Sequence, residues 1–157
     1  MSFKVTRDTL IPREDSSGLV DLALVALKES HSKRLLDIGT GTGILAISIK
    51  KECPEANVSA VDISKAALEV AQENAAQHDV DILFYLGDSI APLPKGAKFE
   101  VIVSNPPYIG RHELEEMDES VKKYEPELAL FAENDGLAFY EKLAKELPEW
   151  LMPNGTI

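Results

Sequence analysis

The chain has 157 residues, of which 45% are hydrophobic and 27% charged, a size and composition that predict one globular domain. Its net charge of −11 argues against a nucleic acid as the main partner, because neutralising phosphates needs a basic surface. The sequence has no membrane-spanning apolar run and no signal peptide, which predicts a cytoplasmic protein without a membrane partner. Its lone cysteine predicts that there is no disulfide, and its histidines lack metal-ligand spacing, which predicts that there is no metal.

The predicted elements begin with a short edge strand at residues 3–9, where apolar residues alternate. Buried strands are then predicted at residues 34–38, 57–61, 81–86 and 99–103. Helical spacing of apolar residues predicts helices at residues 19–27, 44–53, 64–77 and 136–150. Strands that alternate with helices indicate an α/β fold with a doubly wound, mainly parallel, Rossmann-like sheet.

Two further predictions concern the ends of these elements. Ser16 or Ser17 is placed to cap the first helix, and Ser64 to cap the helix that ends near Gln77. Residues 153–157 have the composition of a turn that enters another strand, so we expect the sequence to be truncated within a longer domain. The oligomeric state is not indicated by any pattern.

A distinctive group follows each of the four buried strands. The groups are Asp37 with the glycine loop at residues 39–43, then Asp62, then Asp88, then residues 105–108. Because the carboxyl ends of parallel strands meet at one edge of a sheet, we expect these groups to line one ligand site. Each group alone has an ordinary structural interpretation as a tight turn or a helix cap, so the prediction rests on all four together.

The glycine loop is compatible with two cofactors. Residues 41–46 fit the GxGxxA pattern of a dinucleotide-binding turn with Asp62 downstream, which leaves NAD open. However, the glycines cluster as GxGxG from Gly39, and Asp37 at the loop entrance would repel a pyrophosphate while attracting an ammonium. S-adenosylmethionine carries an ammonium, a sulfonium and no phosphate. Asp62 then suits its ribose hydroxyls and Asp88 its adenine amino group, so the balance favours this cofactor.

The stretch Asn105-Pro-Pro-Tyr108 predicts a binding site for a planar amino group that accepts a methyl group. Such a nitrogen is a poor nucleophile, and an enzyme helps by aligning it with the S–CH₃ bond and accepting both of its hydrogens. The Asn105 side chain and the Pro106 backbone offer two carbonyls, the prolines fix the backbone angles, and Tyr108 offers a flat face. Alone, this stretch would also fit a rigid β-turn with a packing tyrosine.

Taken together, Asp37-Ile-Gly-Thr-Gly-Thr-Gly43 and Asn105-Pro-Pro-Tyr-Ile109 resemble the class I methyltransferases that methylate amino groups, a group that includes adenine-N6 enzymes of nucleic acids. The stretches LIPR at residues 10–13, YEPELALF at 124–131 and NDGLAFY at 134–140 resemble the protein-(glutamine-N5) methyltransferases. Those enzymes modify the glutamine of the GGQ tripeptide in peptide-chain release factors. The resemblance runs through nearly the whole chain.

The resemblance implies S-adenosyl-L-methionine as cofactor and a release factor as protein partner. It implies a cofactor site made of Asp37, Gly39, Thr40, Gly41, Gly43, Asp62, Ile63, Asp88, Ser89 and Asn105. It implies a substrate site made of Asn105, Pro106, Pro107 and Tyr108, with Asn105, Pro106 and Tyr108 catalytic.

Residues 14–17 depart from the family, which usually has proline, an acid, threonine and glutamate there. The family also has an N-terminal domain that recruits the release factor, and further strands at the C-terminal side. Residues 1–157 are therefore expected to form the catalytic domain alone. An adenine-N6 nucleic-acid methyltransferase and an inactive cofactor-binding fragment are the alternatives.

Overall fold

The computed structural model describes residues 1–6, 15–105 and 138–157. Three predicted substrate-site residues, Pro106, Pro107 and Tyr108, lie outside the described residues, as do the stretches at residues 10–13 and 124–137. The positions of all the other predicted site residues can be compared with the structure.

Five strands form one sheet, namely β1 (Arg34–Ile38), β2 (Asn57–Asp62), β3 (Leu83–Leu86), β4 (Phe99–Ser104) and β5 (Leu151–Thr156). The described helices are α1 (Asp15–Lys28), α2 (Ile44–Glu52), α3 (Lys65–Gln77) and α4 (Ala138–Glu146), with a 3₁₀ turn at Leu147–Trp150 before β5. None of these helices has both the length and the apolar composition needed to cross a membrane.

The strand order is β3-β2-β1-β4-β5 and every neighbouring pair is parallel. From β1 the chain adds β2 and β3 on one side, and it then crosses back to add β4 and β5 on the other side of β1. The strand order therefore reverses between β1 and β4. In open α/β sheets, ligands bind at the carboxyl ends of the strands beside this reversal. The predicted doubly wound parallel fold is confirmed.

The central strand is buried on both faces, which explains its nearly continuous apolar sequence. Leu35 points to one face and Leu36 to the other, and both are fully buried. The cluster around Leu35 contains side chains of α1, α2 and α3, whereas the cluster around Leu36 contains Leu143 of α4 and Leu147 of the 3₁₀ turn. Two hydrophobic layers therefore hold the sheet and keep its carboxyl edge in place.

The Ser64 cap is confirmed, because its hydroxyl accepts a hydrogen bond from the Ala67 N–H at 3.2 Å. The prediction that Ser16 or Ser17 caps the first helix is wrong. α1 begins at Asp15, so both serines lie inside its first turn. The third strand begins at Leu83, two residues later than predicted.

The edge strand predicted at residues 3–9 is not present in its described part, because residues 1–6 form no strand and lie against α3 instead. The strand expected after residue 153 is present as β5, but the turn predicted before it is wrong, since β5 begins at Leu151 and runs through those residues. Pro153 is tolerated because β5 is an edge strand of the described sheet. Asn154, with a φ of 66°, lies where the register against β4 shifts, so these turn-forming residues make an irregularity within the strand.

Candidate active site

The ends of four strands come together at the carboxyl edge of the sheet. Ile38 of β1 is level with Val61 of β2 and with Ser104 of β4, and Asp62 is level with Leu86 of β3. Asp37 is the second-to-last residue of β1 and Asp62 the last residue of β2, and the other predicted groups follow the strand ends, at residues 39–43, 63, 88–89 and 105. The structure therefore places all of the described predicted residues along one edge.

The glycine loop between β1 and α2 turns through three glycines with positive φ, at Gly39, Gly41 and Gly43. Gly43 is required for packing as well, because a Cβ there would lie 3.0 Å from Ile47 Cδ1 and 3.2 Å from Ala71 Cβ. At Gly41 a Cβ would meet no atom within 4 Å, so the loop backbone is open on that side. The loop thus packs tightly against α3 at its end and leaves its middle accessible to a ligand.

Asp62 holds the glycine loop next to the start of α3. One of its carboxylate oxygens accepts the Gly41 N–H at 2.8 Å, and the other accepts the Ser64 N–H at 2.9 Å. A carboxylate has about four acceptor positions, so capacity for ligand hydroxyls is left over. The next residue, Ile63, is 60% exposed and offers apolar surface beside this carboxylate.

Asp37 is fully buried at the end of β1. Its Oδ2 accepts a hydrogen bond from the Thr40 hydroxyl at 2.7 Å, whereas its Oδ1 has no hydrogen-bond partner among the described residues. Burial raises the pKa of this carboxyl to about 7, and the nearby Asp62 adds to the rise. The Thr40 hydroxyl and the Ala46 backbone N–H act in the opposite direction and lower the pKa. A buried carboxyl with an unpaired oxygen is suited to a cationic donor.

Asp88 and Ser89 follow β3 and contact α4. Asp88 forms an ion pair with Lys142, and the Ser89 hydroxyl donates to Glu146 at 3.1 Å. Lys142 and Glu146 are one helical turn apart, so they share a face of α4. The sequence analysis did not predict either contact. The pair of opposite charges on one helix face is a signal of a polar contact, but it does not indicate the partner.

Asn105 follows β4 and is half-buried. The residue before it, Ser104, donates its hydroxyl to the Ile38 carbonyl at 2.7 Å, across the gap between β4 and β1. This bond ties the end of β4 to the start of the glycine loop. The backbone of Asn105 is therefore held next to the loop that is predicted to bind the cofactor. Within the described ranges, no three potential metal-ligating side chains come together.

The sequence and structure are similar to those of known methyltransferases. The profile of the methyltransferase small domain family matches residues 18–123. The chain is 46% identical over its full length to the release factor glutamine methyltransferase of Lactococcus lactis, and 43% identical over 156 residues to that of Enterococcus faecalis. It covers 57% and 56% of those two proteins, so it spans little more than half the length of the curated relatives it matches.

One solved structure with the same fold is the hMettl16 catalytic domain in complex with MAT2A 3'UTR hairpin 6. The TM-score is 0.75 at 15% sequence identity, over 96% of this chain and 58% of that one. An identity this low supports a shared fold and no more. The resemblance to glutamine methyltransferases noted from the motifs is confirmed by these matches, which extend over 157 and 156 residues of this chain.

Proposed function

We propose that this chain, which belongs to the methyltransferase small domain family, is the catalytic domain of an S-adenosylmethionine-dependent protein-glutamine methyltransferase. Its substrate would be the side-chain amide of a glutamine in a peptide-chain release factor, the GGQ glutamine. The observation that carries this proposal is the 46% identity over the whole chain to a release factor glutamine methyltransferase. The geometry of the described part of the carboxyl edge supports it.

Asp37 is the described residue best suited to the amino group of the cofactor. Its unpaired, buried Oδ1 lacks a hydrogen-bond donor among the described residues, and an ammonium supplies one with a compensating charge. The same carboxyl would disfavour a pyrophosphate, which counts against NAD. S-adenosylmethionine, when bound, supplies an electrophilic methyl group on its sulfonium.

Asp62 and Ile63 are suited to the adenosine part of the cofactor. The spare acceptor positions of Asp62 fit ribose hydroxyls, and the exposed Ile63 fits the face of an adenine ring. We assign the adenine amino group to Asp88, which accepts through an oxygen that its ion pair with Lys142 leaves available. Gly39, Thr40, Gly41, Gly43 and Ser89 shape the backbone around these contacts.

Asn105 is proposed to orient the glutamine amide. Its side-chain carbonyl would accept one hydrogen of the substrate –NH₂ and the Pro106 backbone carbonyl the other, so that the nitrogen lone pair faces the methyl group. The N–C bond would form as the S–CH₃ bond breaks, S-adenosylhomocysteine would leave, and the methylated nitrogen would then release one proton to solvent water. In this proposal Pro107 and Tyr108 would complete the site, and the tyrosine would offer a flat face to the planar amide. Positioning of this kind contributes several kcal/mol to catalysis.

The decisive experiment is to incubate the protein with methyl-labelled S-adenosylmethionine and a release factor. A release factor whose GGQ glutamine is replaced by alanine is the matched control, and adenine-containing DNA and RNA are offered in parallel. We expect label in the unmodified release factor and none in its variant. Label in a nucleic acid but not in the protein would instead identify an adenine-N6 enzyme. Cofactor binding without any transfer would identify an inactive core.

A further inference from the structure

A buried amide outside the proposed site is Asn74, on α3. It is fully buried, and Ala71 and Ala75 of the same helix are buried too. An amide in this environment is unfavourable unless its hydrogen-bonding groups find partners. A buried position on α3 therefore requires that the Asn74 side chain be hydrogen-bonded to other parts of the protein.

All of the hydrogen-bonding groups of Asn74 are used. Its Oδ1 accepts from the Lys4 N–H at 2.7 Å, and its Nδ2 donates to the Lys4 carbonyl at 3.0 Å and to the Thr42 carbonyl at 2.9 Å. The amide therefore pairs with the Lys4 backbone as a neighbouring strand would. It also reaches the glycine loop near its C-terminal end, at the Thr42 carbonyl.

The contact with Thr42 controls one peptide unit of that loop. The Thr42 carbonyl binds Asn74, and the N–H of the same peptide, on Gly43, donates to the Thr40 carbonyl at 2.8 Å. Gly43 has no side chain and tolerates both signs of φ. Side-chain sterics at this position therefore do not prevent the peptide from flipping. The two hydrogen bonds hold it instead, and Asn74 supplies one of them.

The contact with Lys4 holds the N-terminal segment, which we define as residues 1–6, against α3. The other hydrogen bonds between this segment and the α3 region are exposed, and they include one between the His78 ring and the Ser2 carbonyl at 2.8 Å. The Gln77 amide donates to the Ser2 carbonyl at 3.2 Å, and Lys4 forms an exposed ion pair with Glu73. Among the contacts described, the Asn74 side chain touches the N-terminal segment and the glycine loop at once.

We propose that Asn74 is a positioning residue for the cofactor loop, which it couples to the docking of the N-terminal segment. This inference rests on the proposed function, since it assumes that the glycine loop binds the cofactor. Loss of the amide frees the Thr42 carbonyl and the Lys4 backbone together. The loop then samples flipped peptides, and the cofactor binds only the fraction that has the correct geometry.

The test compares Asn74→Ala and the nearly isosteric Asn74→Asp with Gln77→Ala as the matched control. Gln77 lies on the same helix and binds the same segment, but it does not contact the loop. The affinity for S-adenosylhomocysteine is measured by titration calorimetry. We expect it to fall at least about tenfold in the Asn74 variants, because a buried carbonyl loses its donor. It should stay within about twofold in Gln77→Ala.

Kinetics distinguish positioning from simple loss of folded protein. In the Asn74 variants we expect the KM for S-adenosylmethionine to rise while kcat at saturating cofactor is retained, since a bound cofactor restores the loop. A lower fraction of folded protein would lower kcat without changing KM. An unchanged cofactor affinity in a folded Asn74 variant, or an equal loss in Gln77→Ala, overturns the proposal.

Amide hydrogen exchange tests the coupling in the unsubstituted protein. Adding S-adenosylhomocysteine should slow exchange at residues 3–6 as well as at residues 39–43. Slowing confined to the loop overturns the coupling even if the Asn74 variants do not fold. If the unsubstituted protein does not bind S-adenosylhomocysteine at all, the proposed function itself fails. In the ligand-free protein, Gln77→Ala should speed exchange only in the N-terminal segment, and an Asn74 variant in both regions.

Discussion

Two carboxyl groups on neighbouring strands show how differently the two edges of the sheet are built. Glu100 of β4, at the amino edge, accepts hydrogen bonds from the backbone N–H groups of His31, Ser32 and Arg34, and from the Ser32 hydroxyl. Asp37 of β1, at the carboxyl edge, accepts one from Thr40 and keeps an oxygen without a described partner. The two strands are direct neighbours in the sheet.

The pKa values of the two groups move in opposite directions. Desolvation raises that of Glu100, but the hydrogen bonds from Ser32, Arg34 and His31 outweigh it and lower the pKa to about 2. Burial dominates at Asp37 and raises its pKa to about 7. At the amino edge, the Glu100 carboxylate thus stabilises the fold. At the carboxyl edge, the ionised Asp37 carboxylate destabilises it, as expected of a group in a ligand-binding site.

The largest effect is expected from removing the charge of Asp37. Its folded pKa lies above the ordinary value of 3.8, so its contribution to stability is highest below about pH 4 and is lost as the pH rises to about 7. The loss amounts to about 4 kcal/mol at most, at 1.36 kcal/mol for each pKa unit. In Asp37→Asn the free energy of unfolding should no longer decrease for this reason between pH 4 and pH 8, as measured by urea unfolding.

The same substitution should weaken cofactor binding above pH 7, because the ammonium loses its charged partner. Titration calorimetry with S-adenosylhomocysteine on both proteins checks this. A pH-dependent stability that is identical in the two proteins would show that Asp37 is ionised normally in the folded state, and it would remove the contrast with Glu100.

The next largest effect is expected at Asn105, where a substitution should change the rate of methyl transfer and not the stability of the fold. Losing a preorganised polar contact to the reacting group lowers turnover by about 10²–10³-fold. Asn105→Ala should therefore slow single-turnover methylation of a release factor by that factor. Its melting temperature and its affinity for S-adenosylhomocysteine should be nearly unchanged. A near-normal rate would show that Asn105 does not orient the substrate.

A smaller effect is expected at Asp62, which supports the glycine loop as well as the proposed ribose contact. Removing a charged hydrogen-bond partner costs about 1.5–3 kcal/mol, so Asp62→Ala should weaken S-adenosylmethionine binding about 10–100-fold. Ser64→Ala is a useful control, because it removes the α3 cap and leaves the Asp62 carboxylate in place. Unchanged affinity in Asp62→Ala would exclude Asp62 from the site, and NAD binding by the unsubstituted protein would favour the dinucleotide alternative.

The smallest effect is expected at Glu100. Its folded pKa lies below the ordinary value of 4.5, so its stabilising contribution is complete above about pH 4.5 and is lost as the pH falls towards 2. Because the side chain is partly exposed, we expect Glu100→Gln to lower stability at pH 7 by only about 1 kcal/mol. Cofactor affinity should not change. A loss of cofactor affinity in this variant would mean that the two edges are not independent.

The sequence by itself determined the strands β1, β2 and β4 and the helices α2 and α3, because burial on both faces or helical spacing of apolar residues is a local pattern. It also determined that Asp37, the glycine loop, Asp62, Asp88 and Asn105 follow successive strand ends. Parallel pairing then brings them to one edge without any further information.

Only the tertiary structure decided what those groups contact. Asp88 meets Lys142 across 54 positions of the sequence, Glu100 meets the first residue of β1 and the residues before it across 66 to 69, and Asn74 meets Lys4 across 70. No local pattern specifies such partners, because they depend on which helix packs on which face of the sheet. For the same reason the pKa of Asp37 was not predictable, since it depends on the burial of the carboxyl in the folded chain and on the absence of a described donor at Oδ1.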